Sequence, residues 1–344
     1  MAGVRSVLHR RFSCFVEWLA PDVDKEDDIR KQANDIRERV KGQAERDGLV
    51  IRSTPSAGSF AKRTGLRRHI TGGSDVEGLD VDLPFVVSPR TRRDEELTSL
   101  LDRFERYAAA TYPSTERERT RSAVRLRFKA ARLSYELVPM LATEDRDRQI
   151  LIRASGERVE TSVQKHVDFV RRRTQDSNEL PGRVKFNECV RLLKWWREFR
   201  IDHVGLPEPL RPSSMLIELL CAHAYDALRV EATYATTLLR WLQHMASAVR
   251  GRTRVVFADF VSPAELERAR GAAEWDVLDP VNPSNNIVAR WSRQDIDKLS
   301  DWLTQACSDL DAAMRASVAG KDAESLRHLV ALFGTPFKHH CGDT

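Results

Sequence analysis

The stretch Leu79 to Val87, LDVDLPFVV, restricts the fold of this chain more than any other. Its apolar end, Leu83, Phe85, Val86 and Val87, has the character of a buried strand, yet Asp80 and Asp82 stand inside it. Strands are depleted in Asp, which prefers turns and caps. Because side chains alternate along a strand, Val81, Leu83 and Phe85 share one face and the two carboxylates project together from the other. Anions held that close repel, and the relief is either a raised pKa or a bound cation. Hard divalent cations such as Mg2+ take carboxylate and phosphate oxygens, so the pair reads as a metal claw. The plain alternative is an edge strand with acidic outward positions.

At 344 residues the chain exceeds the size at which a single core usually stops growing, so two lobes are expected. Five cysteines, Cys14, Cys189, Cys221, Cys307 and Cys341, lie far apart without C-x-x-C pairs. A chain this large does not need disulfides, and no run of 18 or more apolar residues occurs. The expectation is a cytoplasmic, reduced protein without membrane span or export signal. The formal net charge of +5 favours polyanions, making nucleotides or nucleic acid candidate partners. The runs ERERTRSAVRLRFK and FVRRRT, taken alone, read more simply as solvated faces interlaced with acids.

Ile29, Ala33, Ile36 and Val40 place one apolar stripe on an otherwise charged helix that Gly48 ends. A second helix follows the acidic strand, spaced through Leu97, Leu100, Leu101 and Phe104. Val124, Leu126 and Phe128, then Leu133, Tyr135 and Leu137, alternate as two strands of a hairpin, although the intervening KAA lacks the Gly or Asn of a tight turn. Glu136 lies on the polar face of the second strand, a third carboxylate against propensity. From about residue 160 the pattern becomes mainly helical, with proline-bearing joints at Pro181, Pro207 to Pro212 and LDPVNPSNN. The fold class is therefore α+β, a mixed lobe over 1–165 that includes an N-terminal helix, followed by a helical lobe over 166–344.

Gly58-Ser59 is a small-residue turn that could open a helix and so present backbone N–H groups to an anion, 22 residues ahead of Asp80. It is not a P-loop, which requires G-x-x-x-x-G-K-[ST]. Taken together, GSFAKRT, GLDVDLPFVV and LSYELVPML resemble the polymerase-beta-type nucleotidyltransferases, in which a G-S turn precedes a D-x-D strand and a later strand adds an acid. The closer resemblance is to the bacterial CD-NTases, relatives of cyclic GMP-AMP synthase and oligoadenylate synthetase. VRLLKWWREFR, SSMLIELL and DPVNPSNNIV in the second lobe extend that resemblance over about residues 25 to 305.

The resemblance implies a bilobal enzyme in which Asp80, Asp82 and Glu136 bind two Mg2+ ions, with Mn2+ as an alternative. Gly58 and Ser59 would contact the triphosphate, Lys194 the donor phosphates, and Ser214 would be a further contact. It implies NTP substrates with ATP among them, a cyclic di- or trinucleotide product that reaches a separate effector in anti-phage defence, and a HORMA-domain regulator. Read by themselves, Glu136 is an outward strand position, Lys194 a solvated helix lysine and Ser214 a helix N-cap. Two departures stand out: Arg63 occupies the position of a common glycine, and Met215 that of a common aromatic. Asp75 and Glu77 form a second acidic pair, which Gly72, Gly73 and Gly78 mark as loop. The tail FKHHCGDT reads as a frayed terminus rather than a metal site. Transfer to RNA or another acceptor, and a nucleic-acid or partner-binding module with a degenerate site, remain the alternatives.

Overall fold

A computed structural model describes residues 6–88, 95–207, 211–269 and 271–343, with side chains at 95–98 excluded. The expected helix contact of Leu97, the proline-led entry to its helix and part of the joint between Pro207 and Pro212 thus lie outside the described residues. The chain divides into two compact units, Pro21–Arg67 with Glu77–Phe169, and Met1–Ala20 with Arg68–Val76 and Val170–Thr344. The first is a sheet unit and the second a helical unit.

The sheet unit opens with α1's successor in the chain, the long helix α2 (Val23–Arg46), the first helix, α1 (Val7–Leu19), belonging to the helical unit. Asp22 caps α2 by accepting from the Asp24 N–H, and Ile29, Ala33, Ile36, Val40 and Ala44 form its buried stripe. Gly48, at φ 73, turns the chain out of the helix into the short strand β1 (Ile51–Ser53). After α3 (Gly58–Ala61) come a hairpin, β2 (Arg68–Thr71) and β3 (Ser74–Glu77), then β4 (Leu79–Val87) and α4 (Glu95–Thr111). β5 (Glu116–Arg119), β6 (Val124–Phe128), β7 (Leu133–Ala142), β8 (Gln149–Ile152) and β9 (Arg158–Thr161) complete the strands.

The sheet runs β1-β4-β7-β6-β5, with β8 pairing both β7 and β9. β4 and β7 are parallel and their other neighbours antiparallel, so the sheet is mixed. Val81, Leu83 and Phe85 of β4, with Tyr135 and Leu137 of β7, pack on the stripe of α2 and on Leu100 and Phe104 of α4. Burial of an Ile- or Phe-sized side chain contributes roughly 1.5–3 kcal/mol. That covered face leaves Asp80 and Asp82 on the opposite one. The β6–β7 hairpin forms as its alternation predicts, and Arg132, at φ 52, takes the left-handed position a Gly or Asn would ordinarily fill.

α5 (Val163–Asn178) begins in the sheet unit and ends in the helical one. The helical unit continues with α6 (Phe186–Val204), α7 (Ser214–Leu228), α8 (Tyr234–Arg250), α9 (Pro263–Arg268), α10 (Arg293–Val318), α11 (Asp322–Phe333) and α12 (Thr335–Cys341). The first helix packs here, so the grouping differs from a single cut after residue 165. The reason is aromatic: Phe12 and Phe15 of α1 meet Phe333 and Phe337, and Phe15 also meets Trp195. The tail is accordingly not frayed, since Phe337 and Cys341 of α12 are fully buried.

The hairpin β2–β3 also corrects a reading, because Asp75 and Glu77 lie on a strand and not in a loop. Gly72 and Gly73, at φ 60 and 77, form the two-residue turn that such hairpins favour. Their N–H groups donate to the two oxygens of Asp202 on α6 at 2.9 and 2.8 Å. His69 Nδ1 stands 3.1 Å from Glu198, one helical turn back along α6. Phe337→Ala should destabilise the chain by about 3–5 kcal/mol in denaturant unfolding; a loss under about 1 kcal/mol would mean that α12 frays in solution.

Candidate active site

β4 delivers Asp80 and Asp82 and β7 delivers Glu136. Parallel pairing puts Asp82 opposite Glu136 and Asp80 opposite Ser134. β6 then places Arg125 opposite Glu136 and Arg127 opposite Ser134, and β5 places Glu118 opposite Arg125 and Glu116 opposite Arg127. Two polar rows cross the sheet: Asp82, Glu136, Arg125, Glu118 in one, and Asp80, Ser134, Arg127, Glu116 in the other. β7 pairs β4 along its whole length, whereas β1 pairs it only at Val86 and Val87, so Asp80 and Asp82 have a strand neighbour on the β7 side alone.

Like charges directly opposite one another destabilise a sheet, and Asp82 beside Glu136 is such a pair. Neither the Asp80 nor the Asp82 carboxylate makes a hydrogen bond or ion pair among the described residues. Burial first, then the charges of Glu136 and Asp80, push the Asp82 carboxyl up to about 7, with Lys62 and Arg125 pulling the other way. Glu136 does have a partner: Arg125 Nε and Nη2 both donate to its Oε1, at 2.9 and 2.5 Å.

The G-S turn lies against this acidic face. Gly58 adopts φ +70, and a Cβ built there would fall 1.6 Å from Asp82 Oδ2, so the position accepts neither a side chain nor an ordinary backbone angle. Ser59 follows in α3, whose last turn runs into Arg63 at φ 58. Arg63 therefore keeps the left-handed backbone that the common glycine would supply, at a cost of roughly 1–2 kcal/mol. The competing acidic pair is already neutralised, Asp75 by Arg68 at 3.0 Å and Glu77 by Arg67 and Arg132 at 2.8 and 2.7 Å.

Lys194 and Ser214 belong to the helical unit. Lys194 is not a solvated lysine: it is 5% exposed, and its Nζ donates to Glu218 Oε2 at 2.9 Å, deep between α6 and α7. Ser214 is the first residue of α7, while the cap is Ser213, whose hydroxyl accepts from the Leu216 N–H. Arg125 and Glu218 were not singled out from the sequence. Glu218 had a signal, a lone acid in MLIELLCAHA that calls for a buried partner; Arg125 needed the register of the hairpin.

The Second Messenger Oligonucleotide or Dinucleotide Synthetase domain family matches residues 7–173. A cyclic AMP-AMP-AMP synthase of Escherichia coli MS 115-1 is 25% identical over 298 residues, 85% of this chain and 86% of the relative. The CBASS oligonucleotide cyclase CdnC of E. coli KTE188 is 26% identical over 279 residues, 78% of this chain and 80% of its own. Residues 7–173 thus match the synthetase family model, and the relatives, bacterial CD-NTases by their names, run along most of the chain. Solved structures of E. coli MS115-1 CdnC agree in fold. The form with ATP matches with a TM-score of 0.77 at 24% identity, covering 96% of this chain and 98% of that one. The complex of CdnC with HORMA-deltaN gives 0.75 at 25%, covering 95% and 97%.

Nucleotidyltransferases of this family generally work with divalent metal ions. The donor chemistry here suits such ions, because three carboxylates share one polar face and two of them lack hydrogen-bonded partners. Among the described residues no three acidic, His or Cys side chains converge on one point. Glu136 is drawn toward Arg125 instead. No helix of the described residues is long and apolar enough to cross a membrane.

Two outcomes follow for stability. Protonation of Asp82 favours the folded chain, so stability declines as pH rises from its ordinary 3.8 through about 7. In a metal chelator at pH 8, Asp82→Asn should melt on the order of 2–6 °C above the parent, the gap closing below pH 5; a gap independent of pH would contradict the burial argument. Lys194→Ala takes the ammonium away from the buried Glu218 carboxylate, at a cost of about 3–5 kcal/mol in chemical unfolding. Lys194→Met combined with Glu218→Leu should recover most of that loss.

Proposed function

We propose that this chain is a CD-NTase that joins NTPs into a cyclic di- or trinucleotide messenger, releasing pyrophosphate at each bond, in bacterial anti-phage signalling. The observation that carries the reading is the approach of the Gly58-Ser59 turn to Asp82, with Glu136 in register beside it. A phosphate-binding turn and a cation-binding face are thereby set side by side, which is the arrangement an NTP needs. The relative named as a cyclic AMP-AMP-AMP synthase supports ATP as one substrate.

In this reading Asp80, Asp82 and Glu136 hold two Mg2+ ions, or Mn2+, and Gly58 and Ser59 hold the triphosphate. The ions would supply neutralisation of phosphate charge and a lowered pKa for the attacking ribose hydroxyl. The chain's own contribution is to fix the acceptor hydroxyl and the donor phosphate in line, which gains rate through orientation. Ser214 adds a hydroxyl from the start of α7. Lys194 is the proposed donor-phosphate contact, and because its Nζ already donates to Glu218, its substitution costs stability as well as affinity. A HORMA-domain protein is proposed as regulator, by analogy with the solved complex of CdnC, and the cyclic product as the signal to a separate effector.

The test is mass spectrometry of products formed from all four NTPs with Mg2+ or Mn2+, alone and with a HORMA-domain partner. Phosphatase-resistant cyclic products are expected from the parent chain. Asp80→Asn with Asp82→Asn should lower turnover by at least about a thousandfold while the chain stays folded by circular dichroism. Linear products only would shift the assignment to transfer onto an RNA or another acceptor, and parent-like turnover in the double variant would remove the acidic face from the mechanism.

A further inference from the structure

The row that crosses the sheet through Asp82, Glu136, Arg125 and Glu118 contains one fixed positive charge beside the two acids of the proposed metal face. Both of Arg125's hydrogen bonds to Glu136 land on Oε1, and its Nη1 stands 3.5 Å from Glu118. Arg125 is held in this position by three things at once: its strand register, the Glu136 carboxylate and the Glu118 carboxylate on the outer strand. The Glu118 carboxylate is shared with a neighbour. Arg127, on the same face of β6, is paired with Glu116 and Glu118.

We propose that Arg125 is a built-in counter-cation that competes with metal for Glu136, so that the three-carboxylate face takes up its full complement of cations only when a nucleotide arrives. The inference rests on the reading of Asp80, Asp82 and Glu136 as metal ligands. A guanidinium is permanently charged and cannot be titrated away. A divalent ion approaching Glu136 therefore meets a positive charge already bonded to the same carboxylate. An NTP changes the balance. Its triphosphate brings negative charge to the face and offers the guanidinium an alternative anion of matching fork geometry. Glu136 is then released to a cation at the moment the substrate is present. Arg125 is thus a positioning residue, acting on the reaction through Glu136.

The sign of the effect separates this role from simple support of the sheet. Loss of a merely structural arginine weakens ligand binding or leaves it unchanged. Loss of a competing cation tightens it. The experiment is direct Mn2+ binding to the full chain without nucleotide, read from the electron paramagnetic resonance signal of free Mn2+, with melting temperature as the check on folding. Arg125→Gln should bind Mn2+ at least about tenfold more tightly than the parent. Arg125→Lys, which keeps the charge but not the fork, should fall between them. Adding Glu136→Gln to Arg125→Gln should erase the gain, because the two residues act as a pair. Arg39→Gln, whose guanidinium pairs with Asp35 on the exposed side of α2, should bind as the parent does.

Nucleotide dependence supplies the second readout. A non-hydrolysable ATP analogue should raise Mn2+ affinity markedly in the parent and little in Arg125→Gln. Parent-like or weaker Mn2+ binding in folded Arg125→Gln and Arg125→Lys would overturn the proposal. Failure of the underlying site looks different: Asp80→Asn with Asp82→Asn would then bind Mn2+ as the parent does, whatever happens at Arg125.

Discussion

Two carboxylates lie side by side across a parallel strand pair, Asp82 on β4 and Glu136 on β7, and the rest of the sheet unit answers that repulsion. The covered face supplies the anchor: Val81, Leu83, Phe85, Tyr135 and Leu137 are buried against α2 and α4, so neither strand can rotate its acids away. A slip of one residue would carry the whole apolar set to the wrong side, which fixes the register strongly. The charge is then balanced locally. Arg125 binds Glu136, Lys62 and Arg125 bear electrostatically on Asp82, and the Gly58 backbone closes against the Asp82 carboxylate. A hydrophobic interaction thus holds an electrostatically unfavourable one in place, and the unfavourable one is what a cation and a triphosphate can use.

The helical unit handles a buried charge in a different way. Lys194 and Glu218 are paired with each other far from water, a geometry that adds little net stability but makes either residue costly to remove alone. Around them the apolar contacts are aromatic. Trp195 donates its indole N–H to the Phe333 carbonyl at 2.8 Å, tying α6 to the end of α11 next to the Phe12, Phe15 and Phe337 cluster. Arg173 shows the same economy, buried and bonded to both Asp226 and Asp259. The FVRRRT run thus contributes a buried staple as well as a surface.

Legibility in the sequence followed the range of the interaction. Period-two and period-3.6 patterns are local, so the acidic strand, the β6–β7 hairpin, the stripe of α2 and the later helices could be read directly. Asp80, Asp82 and Glu136 were visible for the same reason, each an acid on the polar side of an alternating segment. What depended on register was not visible. Arg125 meets Glu136 because the hairpin turns through Lys129 to Ala131 and a left-handed Arg132, and that turn has none of the residues that announce one. Long-range packing was hidden too: nothing local in FKHHCGDT says that Phe337 will meet Phe12, and nothing in SDVE says that Asp202 will hold the two glycines before it. The arginine run ERERTRSAVRLRFK lay between these cases: its two acids, Glu116 and Glu118, are spaced like Arg125 and Arg127, so cross-strand pairing, as in Arg127 with Glu118, follows once the strands are aligned.

The chain path has a consequence for how the molecule acquires its structure. Leaving the helical unit after Ala20, it returns there for Arg68–Val76 and again from Val170 onward, so neither unit is one continuous stretch. An N-terminal fragment released first from the ribosome would hold α1 and the β2–β3 hairpin long before α6, α11 and α12 exist to receive them. The aromatic faces of Phe12 and Phe15 would wait, exposed, for partners more than three hundred residues downstream. Contacts of such sequence separation slow folding. A product cut short of α11 and α12 would therefore keep α1 but lack the Phe333 and Phe337 rings that cover it.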